Sequence, residues 1–419
     1  MTSVAPSRWP APAPTCAVPP APETAGRTQW LPLAIYLLLA AGLVGFVGIQ
    51  HGAKAAVLLL LGLGLGLALF HSRFGFTSAW RQLVAVGNGE GLRAHTVLLG
   101  ATATVFALLI GTGTGLFGST PEPSAGTLGV GLLLGAFLFG IGMQLGGACA
   151  SGTLFAVGSG QNTILFTLFG FIAGSVIFTA IYPWVADLPA LPPILLSDSV
   201  GWFGSWVVTI AALLAVYVLA RLVQARRNPP PTGRPPTARG LARIVRGAWP
   251  LWVGALVLAL LGGGVMLVSG GAWGVTSGFA LWGARVLQLF GLQPETWQYW
   301  QQAGPAKQLA GPILADKTSL TNLGIILGAG VAATAGGVWV FRQRIQWNVA
   351  LVSILGGVLM GIGARLASGC NIGAYLAGIA SGSVSGWVWG LVALAGTWVG
   401  LRARGWFGLS VPKPSDSVC

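Results

Sequence analysis

Long apolar runs alternate along this chain with short stretches carrying arginine, proline or glycine, and the run lengths decide the environment. A hydrocarbon core of about 30 Å calls for roughly 20 apolar residues per helix. Ten runs approach that length, at about 30 to 50, 54 to 70, 95 to 117, 127 to 145, 162 to 186, 201 to 223, 248 to 268, 320 to 341, 347 to 366 and 384 to 402. Each half also holds two glycine-broken segments of about 12 to 16 residues, too short to cross the bilayer as helices and too apolar for free loops. These four segments read as re-entrant, because irregular backbone at membrane depth is tolerated only where protein or a water-filled cavity satisfies it. The pattern predicts an all-α polytopic membrane protein of about ten transmembrane helices plus four short re-entrant segments.

The pattern also repeats. Leu134, Gly135, Gly140, Ile141, Gly142, Leu145, Cys149 and Gly152 recur at a constant offset as Leu355, Gly356, Gly361, Ile362, Gly363, Leu366, Cys370 and Gly373. A weaker echo links Gly75-Phe76-Thr77-Ser78 with Gly274-Val275-Thr276-Ser277. If the repeating units are the four spans over 54–186 and the four over 248–402, the span at 201–223 separates them and their starts lie an odd number of crossings apart. An odd number reverses orientation, which predicts two inverted repeats with a central pathway between them. The expected organisation is a disordered cytoplasmic tail over 1–29, a first transmembrane half over 30–223, an Arg/Pro-rich cytoplasmic linker over 224–247, a second half over 248–404 and a cytoplasmic tail over 405–419.

Composition removes the soluble alternatives. With 54% apolar and 7% charged residues, the chain lacks the polar surface that 419 residues would need in water. The net charge of +14 is spread over the short connections, so the positive-inside rule accounts for it without a nucleic-acid partner. Most basic residues, including Arg73, Arg81, Arg93, the arginines from Arg221 to Arg246, Arg402 and Arg404, fall on one side. Lys54, Arg285, Lys307, Lys317 and Arg365 fall on the other, with five of the eight acids. The expected location is therefore the inner (cell) membrane of a bacterium, multi-pass, with both termini cytoplasmic. Residues 1–29 lack the charged n-region and apolar h-region of a signal peptide.

The chain uses cysteine four times, and only Cys149 and Cys370 stand in the repeated frame. The inverted arrangement brings them to a central constriction from opposite faces. A thiol in a dry passage is a soft, polarizable, weak donor, suited to a sulfur-bearing anion. Harder donors follow each cysteine: a short helix starting there would aim free N–H groups across Ser151 and Gly152, or Asn371 and Gly373, at the constriction. Gly75, Thr77, Ser78 and Thr276 belong to the other pair of broken segments and join the expected pathway. Arg365 is the only charge in either motif, and its counterpart is Gln144. It either guides the anion or snorkels to the outer interface. Buried cysteine is commonly mere apolar filler, but filler has no reason to recur in matching glycine frames. Cys16 and Cys419 read as incidental, and His51, His71 and His95 as isolated. No metal-ligand spacing or phosphate loop occurs, so neither a cofactor, a metal nor ATP-driven pumping by this chain is expected.

The segments Gly-Ala-Cys149-Ala-Ser-Gly, Ser-Gly-Cys370-Asn-Ile-Gly and Arg73-Phe74-Gly75-Phe76-Thr77-Ser78-Ala79-Trp80-Arg81 resemble the motifs of the YeeE/YedE sulfur-transport family. The resemblance covers about 54 to 402. It implies an hourglass of spans and dipping short helices, thiosulfate as substrate, and a relay in which Cys149 and Cys370 pass the ion through transient hydrogen bonds to sulfur. That family often carries a third cysteine where this chain has Gly75. The leading expectation is an inner-membrane transporter taking up thiosulfate or a related sulfur anion, and no enzyme. A cytoplasmic sulfur-carrier protein is a candidate partner, and the Arg-rich linker a candidate anchor for it. The alternative is a membrane thiol enzyme relaying sulfur or reducing equivalents, which needs a cation or base beside a thiol.

Overall fold

The computed structural model describes residues 27–229, 242–247, 249–340 and 345–412. The expectations for the N-terminal tail, for most of the Arg/Pro-rich linker and for Cys16 and Cys419 fall outside them. In chain order the helices are α1 (Trp30–His51), α2 (Ala53–Ser72), α3 (Phe76–Val86), α4 (Glu90–Thr112), α5 (Val130–Leu145), α6 (Ala150–Gly158), α7 (Asn162–Val185), α8 (Leu196–Arg227), α9 (Ala242–Arg246), α10 (Leu251–Ser269), α11 (Thr276–Leu289), α12 (Ala303–Ala310), α13 (Lys317–Ala335), α14 (Trp347–Leu366), α15 (Ala377–Ala380) and α16 (Val384–Trp406). A π-helical turn, Asn371–Leu376, runs directly into α15. The strands are a two-residue pair, β1 (Leu128–Gly129) and β2 (Ala190–Leu191), antiparallel with Leu128 opposite Leu191.

Among the described residues ten stretches are long and apolar enough to cross a membrane; the chain is a multi-pass, all-α membrane protein. Three of the ten join two helices: α2 runs on into α3, α5 into α6, and α14 through the π turn into α15. The fourth broken segment is α11, which follows the turn after Gly270.

Two spans are displaced from the sequence expectation for local reasons. The helix expected over 95 to 117 is α4, which begins at Glu90, where the Asn88 side chain accepts from the Glu90 N–H at 2.9 Å, and stops at left-handed Gly113. The one expected over 320 to 341 is α13, which starts at Lys317 because the Asp316 carboxylate accepts from the Ser319 N–H at 2.7 Å. The segment expected to begin the linker at 224 is still helical through Arg227.

Glycine contacts between the two halves set the packing. A Cβ on Gly135 would lie 2.6 Å from the Gly363 carbonyl oxygen, and one on Gly363 would lie 2.5 Å from that of Gly135. Likewise a Cβ on Gly142 would lie 2.6 Å from the Gly356 oxygen, and one on Gly356 2.7 Å from that of Gly142. The early glycine of one copy thus meets the late glycine of the other, so α5 and α14 run antiparallel. The contact is reciprocal, as in an isologous two-fold interface. The flanks follow suit: α7 packs on α14 as α16 packs on α5, and α2 on α13 as α10 on α4. Between α2 and α10 the reciprocity recurs, with Gly64 against Leu261 and Gly264 against Leu61. Apolar burial gives little drive between helices in lipid, so such backbone approach supplies the van der Waals adhesion. Outside this frame, α1 packs on α2 and α13, and α8 on α4.

Candidate functional site

The chain reaches each thiol by the same bend. After α5 it turns through Gly147 at φ 81, and after α14 through Ser368 at φ 58, a left-handed conformation that glycine adopts without strain and serine does not. Cys149 then caps α6 and Cys370 caps the π turn, both in extended backbone. Each thiol is 1% exposed, inside one cluster that includes Phe76, Trp80, Phe139, Phe279 and Trp389 from both halves. The sulfurs lie within electrostatic range of each other, and both are free.

Aromatic rings join the two halves within this core. From Phe279 on α11 the run passes to Phe171 at 4.9 Å between ring centres, to Phe139 at 6.1 Å and to Trp389 at 5.4 Å. It continues to Tyr375 in the π turn at 6.1 Å and to Trp80 on α3 at 5.5 Å. Several buried polar groups of these segments have no protein partner: Asn371, next to Cys370, has neither side-chain atom paired, and the Trp80 and Trp389 N–H groups and, on α3, the Thr77 hydroxyl are alone. A buried polar group without a partner costs about 1–3 kcal/mol, so a cluster of them calls for a purpose.

The expected site residues divide clearly. Ser151 lies 3.7 Å from the Cys149 sulfur, and a Cβ on Gly152 would stand 3.3 Å from it. Around Cys370, the backbone N–H groups of Ile372 and Gly373 turn toward the sulfur, Asn371 is fully buried, and Gly373 faces open space. The Cys370 carbonyl accepts from both Ala374 and Tyr375, at 2.8 and 3.3 Å, the widened register of a π turn. A narrow cavity lined by Trp273, Ile372 and Leu376 opens beside this segment.

Gly75 caps α3, Thr77 is buried with its hydroxyl unpaired, and Thr276 is buried at the start of α11. Ser78 is exposed and bonds back to the Gly75 carbonyl at 3.1 Å. The Arg365 guanidinium donates to the Tyr299 hydroxyl at 2.9 Å and to the Thr276 hydroxyl at 3.4 Å, with Nε buried and unpaired.

Sequence reasoning missed several neighbours. His95 is not isolated: its ring lies 4.4 Å from that of Phe76 and bonds the Gly75 backbone, so it holds the start of α3. Tyr299, in the connection between α11 and α12, carried no pattern that would single it out. Arg81 and Arg404 were counted only as charges of a connection, yet they are 9% and 2% exposed. Among the described residues no group of three histidine, cysteine or acidic side chains is placed to hold a metal.

The chain is similar to the thiosulfate transporter TsuA of Spirochaeta thermophila, 28% identical over 81% of this chain and 96% of that one. It is similar also to the thiosulfate transporter TsuA of Escherichia coli, at 26% over 81% of this chain and 92% of that protein. The probable transporter YedE of Escherichia coli is 32% identical over 37% of this chain and 39% of its own length. A family model described as sulphur transport matches residues 71–399, the stretch that contains both cysteine motifs and both starts of the shorter segments, and the chain belongs to that sulphur transport family.

Proposed function

We propose that this protein takes up thiosulfate or a closely related sulfur anion across the bacterial inner membrane, along a central route on which Cys149 and Cys370 are successive contacts. In this reading the halves are inverted repeats, α3, α6, α11 and the π turn dip into the membrane from opposite faces, and the termini are cytoplasmic. The observation that carries it is the burial of two free thiols, one from each antiparallel copy of the motif, in the same core, with Ser151 against one sulfur and the unpaired Asn371 next to the other. Anions need donors without competing acceptors, and a soft sulfur anion gains from polarizable S–H and aromatic edges. The reciprocal glycine contacts support inversion, and the names of the similar transporters support thiosulfate.

The route is shut as described, both thiols being enclosed, so passage requires the dipping segments to part. The test is uptake of labelled thiosulfate by vesicles containing the purified protein. Cys149→Ala should abolish it and Cys370→Ala lower it by about tenfold, a loss of about 1.4 kcal/mol in transit. Serine at either position should retain part of the rate. Full uptake in both alanine variants would end the proposal.

A further inference from the structure

At the end of the bundle opposite Arg365, two arginines are buried side by side. Arg81 lies on α3 and Arg404 at the end of α16, within electrostatic range of each other. Gln144, the last turn of α5, ties them together: its Oε1 accepts from Arg81 Nε at 3.0 Å, and its backbone carbonyl accepts from Arg404 Nη1. Its amide nitrogen donates to the Thr77 carbonyl at 3.4 Å, which fixes which way the amide faces.

The two guanidiniums are served differently. Arg404 spends its donors on main-chain carbonyls, at Gln144 and at Ser410 (2.8 Å), and so acts as a cap on helix ends. Arg81 is not so used: Nη2 is buried with no acceptor, and so is the Thr77 hydroxyl one turn earlier on α3. Among the described residues no carboxylate pairs with either arginine. Two like charges held in a dry site with donors to spare are strongly unfavourable unless a negative group joins them.

The matching positions sharpen the point. Thr77 and Thr276 open α3 and α11, and Gln144 stands where the second copy has Arg365. At one end the guanidinium beside the threonine comes from α14, and at the other it comes from α3 itself. The charge is kept although its carrier has changed.

We propose that Arg81 and the Thr77 hydroxyl, with Arg404 and Gln144 positioning them, form a binding station for a small divalent oxyanion at the end of the route away from Arg365. This rests on the transport reading above, where the station would hold the anion after it leaves the thiols. Arg81 contacts the anion, and Arg404 and Gln144 are positioning residues.

The test uses oriented vesicles carrying wild-type protein, Arg81→Gln or Arg81→Lys, with labelled thiosulfate on one face at a time. For thiosulfate entering from the Arg81 face, the half-saturating concentration should rise about tenfold in Arg81→Gln and recover in part in Arg81→Lys. For entry from the Arg365 face it should stay within about twofold. An unchanged value on the Arg81 face, or an equal rise on both faces, would overturn the station. Wild-type vesicles that move no thiosulfate would instead sink the transport reading. The station would then be decided by melting curves: thiosulfate or sulfate, against chloride, should raise the melting temperature of the wild type and not of Arg81→Gln. An equal rise in both would overturn it.

Discussion

The segment around Cys149 and the segment around Cys370 share a backbone frame and differ in what they place around the sulfur. Both leave a glycine-packed helix, turn through left-handed backbone, at Gly147 alone in one and at Ser368 and Gly369 in the other, present an extended cysteine and start a short helix. At Cys149 the short helix is regular α, Ser151 sits against the sulfur, and Gly152 leaves no spare space beside it. At Cys370 the helix opens as a π turn, Asn371 finds no partner, and Gly373 borders a void. The frame is set by inter-helix contacts that the two copies of the motif satisfy reciprocally. Around the sulfurs the two segments differ chemically.

The first way to break this comparison is to attack the frame, where the largest effect is expected. Leucine at Gly142 or at Gly363 would drive side-chain atoms into a facing backbone, at 2.6 and 2.5 Å from a carbonyl oxygen even for the Cβ alone. Overpacking costs about 1–3 kcal/mol where neighbours can yield, and backbone yields least. Both variants should therefore fail to give folded protein in detergent, or melt far below the wild type. The matched outcome is the point, because a tolerant Gly363→Leu beside an intolerant Gly142→Leu would show that the crossing is not reciprocal.

Most of the frame was legible in the sequence, and the chemistry at its edges was not. The constant offset relating Gly135 and Gly142 to Gly356 and Gly363 is what makes the crossing self-complementary, and identity at fixed spacing is a signal a sequence carries directly. Ten spans followed from run length, while α4 and α13 shifted because Asn88 and Asp316, polar residues outside any hydropathy window, decide where those helices start. The π turn had no signature, since Asn371–Leu376 has the composition of an ordinary helix. Arg81 and Arg404 were hidden for a different reason. Arginine near a span end ordinarily marks the cytoplasmic face, and only the packing of α3 against α16 shows that these two are buried. His95 was hidden likewise: its partners, Phe74 and Phe76, lie in another element and share no period with it.

A subtler contrast sets two matched glycines against each other. In Gly152→Ala the new methyl would sit 3.3 Å from the Cys149 sulfur and 3.3 Å from the Ala148 side chain, tighter than ordinary contact. The thiol would have to shift within a closed cluster. In Gly373→Ala the methyl enters open space. Thiosulfate uptake should fall about tenfold in the first, equivalent to about 1.4 kcal/mol, and stay within about twofold in the second. Melting temperatures of both should remain close to the wild type, which separates disturbance of the route from disturbance of the fold. Equal losses in the two variants would mean that the segments around the sulfurs are as alike as the frame that holds them.

The smallest expected change comes from adding a thiol at the start of α3, which has none. Gly75 sits at the start of α3 in extended backbone, φ −133 and ψ 123, a conformation open to any residue. A Cβ there would stand 2.8 Å from the Ser78 hydroxyl oxygen and 3.9 Å from its Cβ, so the obstacle is one rotatable group. Ser78 is exposed, and its bond to the Gly75 carbonyl can be exchanged for water at a cost of about 1 kcal/mol or less. Gly75→Cys should therefore fold normally. If thiols are interchangeable contacts along one route, it should raise thiosulfate uptake by no more than about threefold, some 0.6 kcal/mol, whereas Gly75→Ala should give no gain. A loss of uptake in Gly75→Cys as deep as that expected for Gly152→Ala would place α3 among the tightly closed parts of the route and shift the opening movement to the second half, where Gly373 already has room.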